Sequence, residues 1–103
     1  MIYVTAFLEV KPGNRAKLVE EFQKIVPEVL AEEGCLGYVP TIDTADPVVD
    51  AQTVRPEVVT VVEQWESPAA LKAHLDAPHM AAFRERVGDI LENVTLYVTE
   101  PTQ

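Results

Sequence analysis

Residues able to bind an aromatic ring and to move protons lie close together between positions 63 and 83 of this chain. They include the only tryptophan, Trp65, and both histidines, His74 and His79, near the carboxylate of Glu63. Imidazole is the side chain that titrates nearest neutral pH, and indole offers a large, flat, apolar surface. The residue types indicate general acid–base chemistry on a bound aromatic compound.

Trp65 and the two histidines also have structural interpretations. Trp65 could pack in the core or in a dimer interface, because tryptophan is mostly buried in any protein. His74 and His79 are five residues apart, on different faces of a continuous helix, but Pro78 between them breaks the helix. Spacing alone leaves open which histidine is the base, or whether both have only structural roles.

Glu63 lies in the valine-rich run that leads to Trp65, where a buried carboxylate requires compensation. It could orient a histidine, accept a proton from the substrate, or pair with an arginine. We favour the ion pair, with Arg84 or Arg86 as the partner.

Composition limits the classes of partner. The 103 residues form one domain, 1–103, and carry 8 basic and 17 acidic side chains, a formal charge of -9. Such a surface repels phosphate backbones and anionic lipid, so we expect neither nucleic-acid nor membrane binding. The single cysteine, Cys35, cannot form an intrachain disulfide, which is typical of a reducing cytoplasm.

No motif for a metal, flavin, nicotinamide or haem is present. There is no His-Glu-x-x-His run and no cysteine pair, and the four glycines are scattered without a Gly-x-Gly turn. We therefore predict no cofactor and no metal site, with the chemistry supplied by acid–base groups and the substrate.

Hydrophobic periodicity defines the elements that position these residues. Residues 2–10 alternate as a strand, and residues 14–34 have helical spacing up to Gly34. Ser67-Pro68 is a helix start, with serine as N-cap and proline at the first helical position. The other predicted elements are strands 36–44, 58–66 and 94–99, helices 69–75 and 78–91, and a long connection over 43–57. This order, β-α-β-β-α-β with a split second helix, predicts a ferredoxin-like α+β fold.

The sheet of such a fold has helices on one face only. We predict that the other face carries Tyr3, Phe7, Trp65 and Tyr97, a surface too apolar to be left in water. A second copy stacked sheet to sheet would cover it, giving a homodimer with a barrel-like interior.

The run Glu63-Gln-Trp-Glu-Ser, with Leu71, His74, Pro78-His79-Met80 and Phe83, resembles the antibiotic biosynthesis monooxygenase family. The resemblance extends over nearly the whole chain and is strongest to its small bacterial quinol monooxygenases. It implies a dimeric α/β barrel that oxidises quinols or phenols with dioxygen and without metal or flavin.

By position, the resemblance transfers Trp65, His74 and His79 to this chain, with Glu63 in support. We expect His74, His79 and Glu63 to be catalytic. The expected contacts of the aromatic or quinone-like substrate are Trp65, Tyr3, Phe7, Val61, Phe83 and Tyr97. Haem-degrading relatives carry an asparagine on the first strand, which is absent here, so haem is not the expected ligand.

Two other functions compete with quinol oxidation. The same fold hosts acid–base isomerases of small carbonyl compounds, which would turn over without dioxygen. A dimeric module that only binds a small ligand would use Trp65 for packing alone.

Overall fold

The computed structural model describes all 103 residues and contains four strands and three helices. In chain order these are β1 (Ile2–Val10), α1 (Arg15–Leu30), β2 (Cys35–Ile42), β3 (Val58–Trp65), α2 (Pro68–Leu75), α3 (Pro78–Val87) and β4 (Leu91–Thr99). The strands form one antiparallel sheet in the order β2-β3-β1-β4. The predicted ferredoxin-like α+β fold with a split second helix is therefore confirmed. None of the helices has the length and apolarity needed to cross a membrane.

The helices cover one face of the sheet, which we call the inner face. The alternate residues Ile2, Val4, Ala6, Leu8 and Val10 of β1 lie on it, and each exposes 7% of its surface or less. Helix α1 packs its apolar stripe of Leu18, Phe22, Ile25 and Val29 into the same core. Burying an aliphatic side chain of this size stabilises the fold by about 1.5–3 kcal/mol, so the alternation in β1 determines which face meets the helices.

The last helix and the last strand differ from their predicted bounds. Helix α3 ends at Val87 rather than Leu91, and Gly88 is its C-cap. The amide of Ile90 bonds to the carbonyl of Val87, and Leu91 already pairs with Val10 across the sheet. The backbone groups of these residues find their partners at the end of β1, so the strand begins three residues early.

Trp65 lies on the inner face, so the prediction that it shares a face with Tyr3 and Phe7 is wrong. It pairs with Ile2 in the β1–β3 ladder and is fully buried. Val61 and Glu63 share its face, as the spacing of two requires. Each face of β3 carries two valines and at least one polar residue, so alternation alone does not decide which face meets the helices; the register with β1 does.

No helix covers the outer face of the sheet, although the guanidinium of Arg55 lies 5.3 Å from the centre of the Phe7 ring. The outer face presents Tyr3, Phe7 and Tyr97, with the rings of Phe7 and Tyr97 in an edge-to-face contact at 6.2 Å between centroids. Val39 and Val62 pair beside them and are 54% and 49% exposed. The predicted apolar outer face therefore exists, without Trp65.

Gly34, in the turn before β2, packs closely against helix α2, the helix that also carries His74. Its φ is +82°, and a Cβ at this position would lie 2.5 Å from the Cβ of Ala70 in α2. We expect Gly34→Ala to lower the free energy of unfolding by about 2–4 kcal/mol, because left-handed strain adds to a side-chain clash. Urea denaturation measures the loss.

Gly13→Ala is the matched control. Gly13 has a similar φ of +84° but nothing within 4 Å of the added Cβ. Gly13→Ala should lower the free energy of unfolding only by the cost of the left-handed backbone conformation, about 1–2 kcal/mol. Equal losses in the two variants would show that the contact with Ala70 has no energetic weight.

Candidate active site

A cavity of about 150 Å³ lies between the inner face of the sheet and helices α2 and α3. Its walls are mainly apolar and include Ala6, Phe22, Val61, Met80, Phe83 and Leu96. Leu96 and Val94 of the edge strand β4 also border it and are 40% and 52% exposed, so the cavity is reached along this edge. Four of the lining residues carry polar groups: Tyr38, Glu63, His74 and Arg84.

Helix α2 carries His74 to the cavity. The hydroxyl of Ser67 accepts a hydrogen bond from the amide of Ala70 at 3.1 Å, and Pro68 begins the helix, as predicted. The helix buries Leu71 and His74, and His74 is only 2% exposed. Its ring lies 4.6 Å from that of Trp65 between centroids, at an interplanar angle of 36°. Trp65 thus fixes the plane of the imidazole.

Glu32, in the turn after α1, holds the other edge of the His74 ring. Its two carboxylate oxygens lie 2.8 and 3.1 Å from Nδ1 of His74. An ionised carboxylate can only accept hydrogen bonds, so Nδ1 is the nitrogen that carries the proton. Nε2 has no hydrogen-bond partner in the protein. In the neutral ring it therefore offers a lone pair from a residue of the cavity wall, the arrangement that a general base needs.

His79, at the start of α3, lies on the far side of Glu32 and does not border the cavity. Its Nε2 is 3.0 Å from the same Glu32 oxygen that contacts His74, and its Nδ1 is 3.7 Å from Glu28. The side chain is 24% exposed. The structure therefore brings the two histidines together through one carboxylate, with only His74 in the cavity wall.

Glu63 is buried at 6% exposure and accepts a hydrogen bond from the indole nitrogen of Trp65 at 2.9 Å. Burial raises the pKa of this carboxyl from 4.5 to about 7, and the nearby charge of Glu32 acts in the same direction, while the bond from Trp65 opposes it. Near neutral pH the group is therefore present both as acid and as base.

The predicted ion pair of Glu63 with Arg84 or Arg86 is wrong. Arg86 donates to Glu21 at 2.7 Å, and Arg84 donates to the carbonyl of Leu75. Arg86 satisfies a nearly buried carboxylate at the helix α1–α3 contact, which leaves Glu63 with Trp65 as its only partner.

Tyr38 on β2 adds a phenol to the wall. It is 4% exposed, packs edge-on against His74 at 5.5 Å between centroids, and makes no hydrogen bond within the protein. Burial, together with the charges of Glu63 and Glu32, raises the pKa of its hydroxyl, which stays protonated as a donor. Neither Tyr38 nor Glu32 was among the residues predicted for the site.

The predicted substrate contacts fall into two groups on opposite faces of the sheet. Val61 and Phe83 border the cavity together with Glu63 and His74. Trp65 donates a hydrogen bond to Glu63 and packs against the ring of His74. Tyr3, Phe7 and Tyr97 lie on the outer face. Within one chain the sheet lies between these three side chains and the cavity, so their contact with a substrate stays a prediction.

One group of side chains has the composition of a metal site. Glu32, His74 and His79 each offer one ligand atom, and these atoms lie within 4.8 Å of one another. The sequence motifs gave no sign of this group, because Glu32 is 42 and 47 residues away from the two histidines.

Comparison with known proteins agrees with this architecture. The sequence profile described as antibiotic biosynthesis monooxygenase matches residues 1–86. The protein named "Probable quinol monooxygenase YgiN" from Escherichia coli (strain K12) is 47% identical over 95 residues, covering 89% of this chain and 90% of its own. YcnE from Bacillus subtilis (strain 168) is 30% identical over 91 residues, covering 88% and 86%.

The solved structures agree as well. The crystal structure of PA3566 from Pseudomonas aeruginosa superposes with a TM-score of 0.82 at 25% identity, covering 99% of this chain and 94% of that one. The profile covers most of the chain, and a relative at 47% identity aligns over nearly all of it. The chain therefore belongs to the antibiotic biosynthesis monooxygenase family.

Proposed function

We propose that this protein is a quinol monooxygenase, which oxidises a hydroquinone or related phenol with dioxygen. The observation that carries the proposal is His74: it borders an apolar cavity, Glu32 holds its Nδ1 proton, and its Nε2 has no partner in the protein. The relative named as a probable quinol monooxygenase supports the substrate class. No flavin or metal is required in this proposal, because the deprotonated substrate is itself the electron donor.

The first step is a proton transfer. Nε2 of His74 removes the proton from one hydroxyl of the bound hydroquinone, and the carboxylate of Glu32 stabilises the imidazolium that forms. The hydroxyl of Tyr38 and the protonated form of Glu63 can donate hydrogen bonds to the substrate oxygens. The apolar wall keeps water away from the anion and admits dioxygen.

The later steps balance without another reactant. The hydroquinone anion passes one electron to dioxygen, and superoxide and the semiquinone radical combine to form a carbon–oxygen bond at the ring. The peroxide takes the proton that His74 holds. His74, which is neutral again after this transfer, then removes the ring proton at that carbon while the oxygen–oxygen bond breaks and hydroxide leaves. One quinol and one dioxygen thereby give one hydroxyquinone and one water.

Oxygen uptake tests this proposal. Chelator-treated protein is mixed with a reduced naphthoquinone in an oxygen electrode, beside a protein-free trace that measures autoxidation. We expect uptake well above that background, equal to one dioxygen per quinol, with no oxygen returned on adding catalase because the product is water. A trace equal to the background for every hydroquinone tested would reject the activity.

An acid–base isomerase is the second candidate, because Glu63 and His74 form a pair of proton-handling groups in one cavity. Such an enzyme would turn over a small carbonyl compound under argon. Turnover that stops when dioxygen is removed would eliminate this candidate.

We also propose a homodimer joined through the outer face of the sheet. The face presents Tyr3, Val39, Val62 and Tyr97, and Tyr97 is 57% exposed. Tyr97→Glu should convert the dimer to a monomer, because burying an unpaired carboxylate costs several kcal/mol. Light scattering coupled to gel filtration gives the mass.

Ala81→Glu is the control for this prediction. It adds the same charge to an exposed position of α3, on the helical side of the molecule. If the wild type and both variants had the same mass, the outer face would not be the dimer interface.

A further inference from the structure

We propose that Glu32, His74 and His79 form a binding site for a divalent transition-metal ion such as Zn²⁺, and that the bound ion inhibits the enzyme. The second part rests on the proposed function, since it concerns the base of that reaction. The first part rests only on the geometry of the three side chains.

The three ligand atoms are already close to the arrangement around a metal ion. The shared oxygen of Glu32 is 2.8 Å from Nδ1 of His74 and 3.0 Å from Nε2 of His79. Adjacent ligands of a tetrahedral zinc ion, at its usual bond lengths, lie roughly 3.3 Å apart. The two histidine nitrogens lie within 4.8 Å of each other. The oxygen–nitrogen spacings therefore widen by about half an ångström and the two nitrogens approach by at most about 1.5 Å to form three metal bonds, with the fourth position open to water.

The ligand types fit the same class of ion. Two imidazoles and one carboxylate suit Zn²⁺ and its first-row neighbours rather than Ca²⁺ or Mg²⁺, which prefer oxygen ligands. Each imidazole must present a lone pair, so His79 would keep its proton on Nδ1, where the negative charge of Glu28, 3.7 Å away, favours it. The formal charge of -9 also attracts cations to the protein.

The ion has a path that does not cross the cavity. Glu32 and His79 are 14% and 24% exposed, so two of the three ligands are reached from solvent, while His74 is buried behind them. A metal ion can therefore bind from outside, on the side of the His74 ring opposite to the nitrogen that serves as the base.

Binding on that side changes what the other nitrogen can do. A neutral imidazole carries one proton, and in the free protein Glu32 keeps it on Nδ1. A metal ion on Nδ1 displaces this proton, and the remaining proton of the neutral ring must then be on Nε2. Nε2 becomes a hydrogen-bond donor and can no longer accept a proton from the substrate. Inhibition follows without any block of the cavity.

Isothermal titration with Zn²⁺ tests the site directly, on untagged, chelator-treated protein. We expect one ion per chain, with affinity at least about tenfold weaker in His79→Gln and in Glu32→Gln. His79→Gln keeps an N–H donor for Glu32 and replaces a partly exposed side chain, so it should fold. Glu85→Gln removes an exposed carboxylate on the same helix as His79 and should bind as the wild type does. Equal affinities in all four proteins, or no saturable binding, would overturn the site.

Oxygen uptake during the same titration tests the inhibition. We expect the wild-type rate to fall in proportion to Zn²⁺ occupancy and to recover when a chelator is added. If Zn²⁺ bound at these three residues without changing the rate of oxygen uptake, the proposed inhibition would be overturned and the proposed metal site would stand. If the protein consumes no oxygen even when free of metal, the proposed function and the inhibition both fail, and the binding data alone decide whether the site exists.

Discussion

His74→Gln should lower kcat/KM for quinol oxidation by roughly 10²–10⁴-fold, the usual contribution of a positioned general base. The glutamine keeps a donor for Glu32 but has no group that can take a proton from the substrate at neutral pH. Because His74 packs against Trp65 and Tyr38, circular dichroism and thermal unfolding must accompany the kinetics. Initial rates of oxygen uptake over a range of quinol concentrations give kcat/KM.

Two companion variants separate the base from the groups around it. His79→Gln removes the histidine that does not border the cavity, and we expect a loss of less than tenfold. Glu32→Gln should lower kcat/KM by a factor between those of the two histidine variants. It should also change the pH profile of the rate, because an amide can hold His74 in either tautomer. If His79→Gln were as damaging as His74→Gln, the assignment of His74 as the base would be wrong.

Glu63→Gln should remove a large pH dependence of stability. Burial raises the pKa of this carboxyl from 4.5 to about 7, so the folded protein favours its protonated form. The resulting stability is fully present below pH 4.5 and is lost as the pH rises through 7. A shift of this size corresponds to on the order of 3 kcal/mol, which the wild type loses between pH 5 and pH 8 relative to the variant.

Urea denaturation of both proteins at several pH values gives this difference. Hydrogen bonds to basic side chains lower the pKa values of Glu21 and Asp43 to about 2. Their contributions to stability are therefore lost only below pH 4.5, outside the range from pH 5 to pH 8 in which Glu63 acts. Glu92→Gln, at an exposed position on β4, is the charge-matched control. A difference between wild type and Glu63→Gln that stayed constant from pH 5 to pH 8 would contradict a buried carboxyl with a raised pKa.

The fold was predictable because its signals are local. The alternation in β1, the helical stripe of α1 and the Ser67-Pro68 helix start each depend on neighbouring residues, and the structure reproduces all three. Trp65 was placed on the wrong face because the direction of β3 relative to the helices is determined by its pairing with Ile2. That is a contact between residues 63 positions apart, which periodicity within one strand does not report.

The candidate site was predictable in its composition and not in its connections. Glu63, His74 and Trp65 are close in sequence, and the structure brings them together. Glu32 comes from another part of the chain. Its contacts with His74 and His79 form only when α2 and α3 pack near the end of α1. One signal was available: Glu32 follows the C-terminus of α1, where the helix dipole disfavours a carboxylate, so a compensating donor was to be expected.

Labelling with ¹⁸O₂ is the most direct test of monooxygenase activity. Chelator-treated protein and a reduced naphthoquinone are mixed under labelled dioxygen and quenched within one turnover, before the quinone oxygens exchange with water, and the product is analysed by mass spectrometry. We predict a hydroxyquinone that carries one ¹⁸O atom at the newly oxygenated carbon. A product without label, whether a quinone formed with hydrogen peroxide or an isomer of the substrate, would contradict the proposed function.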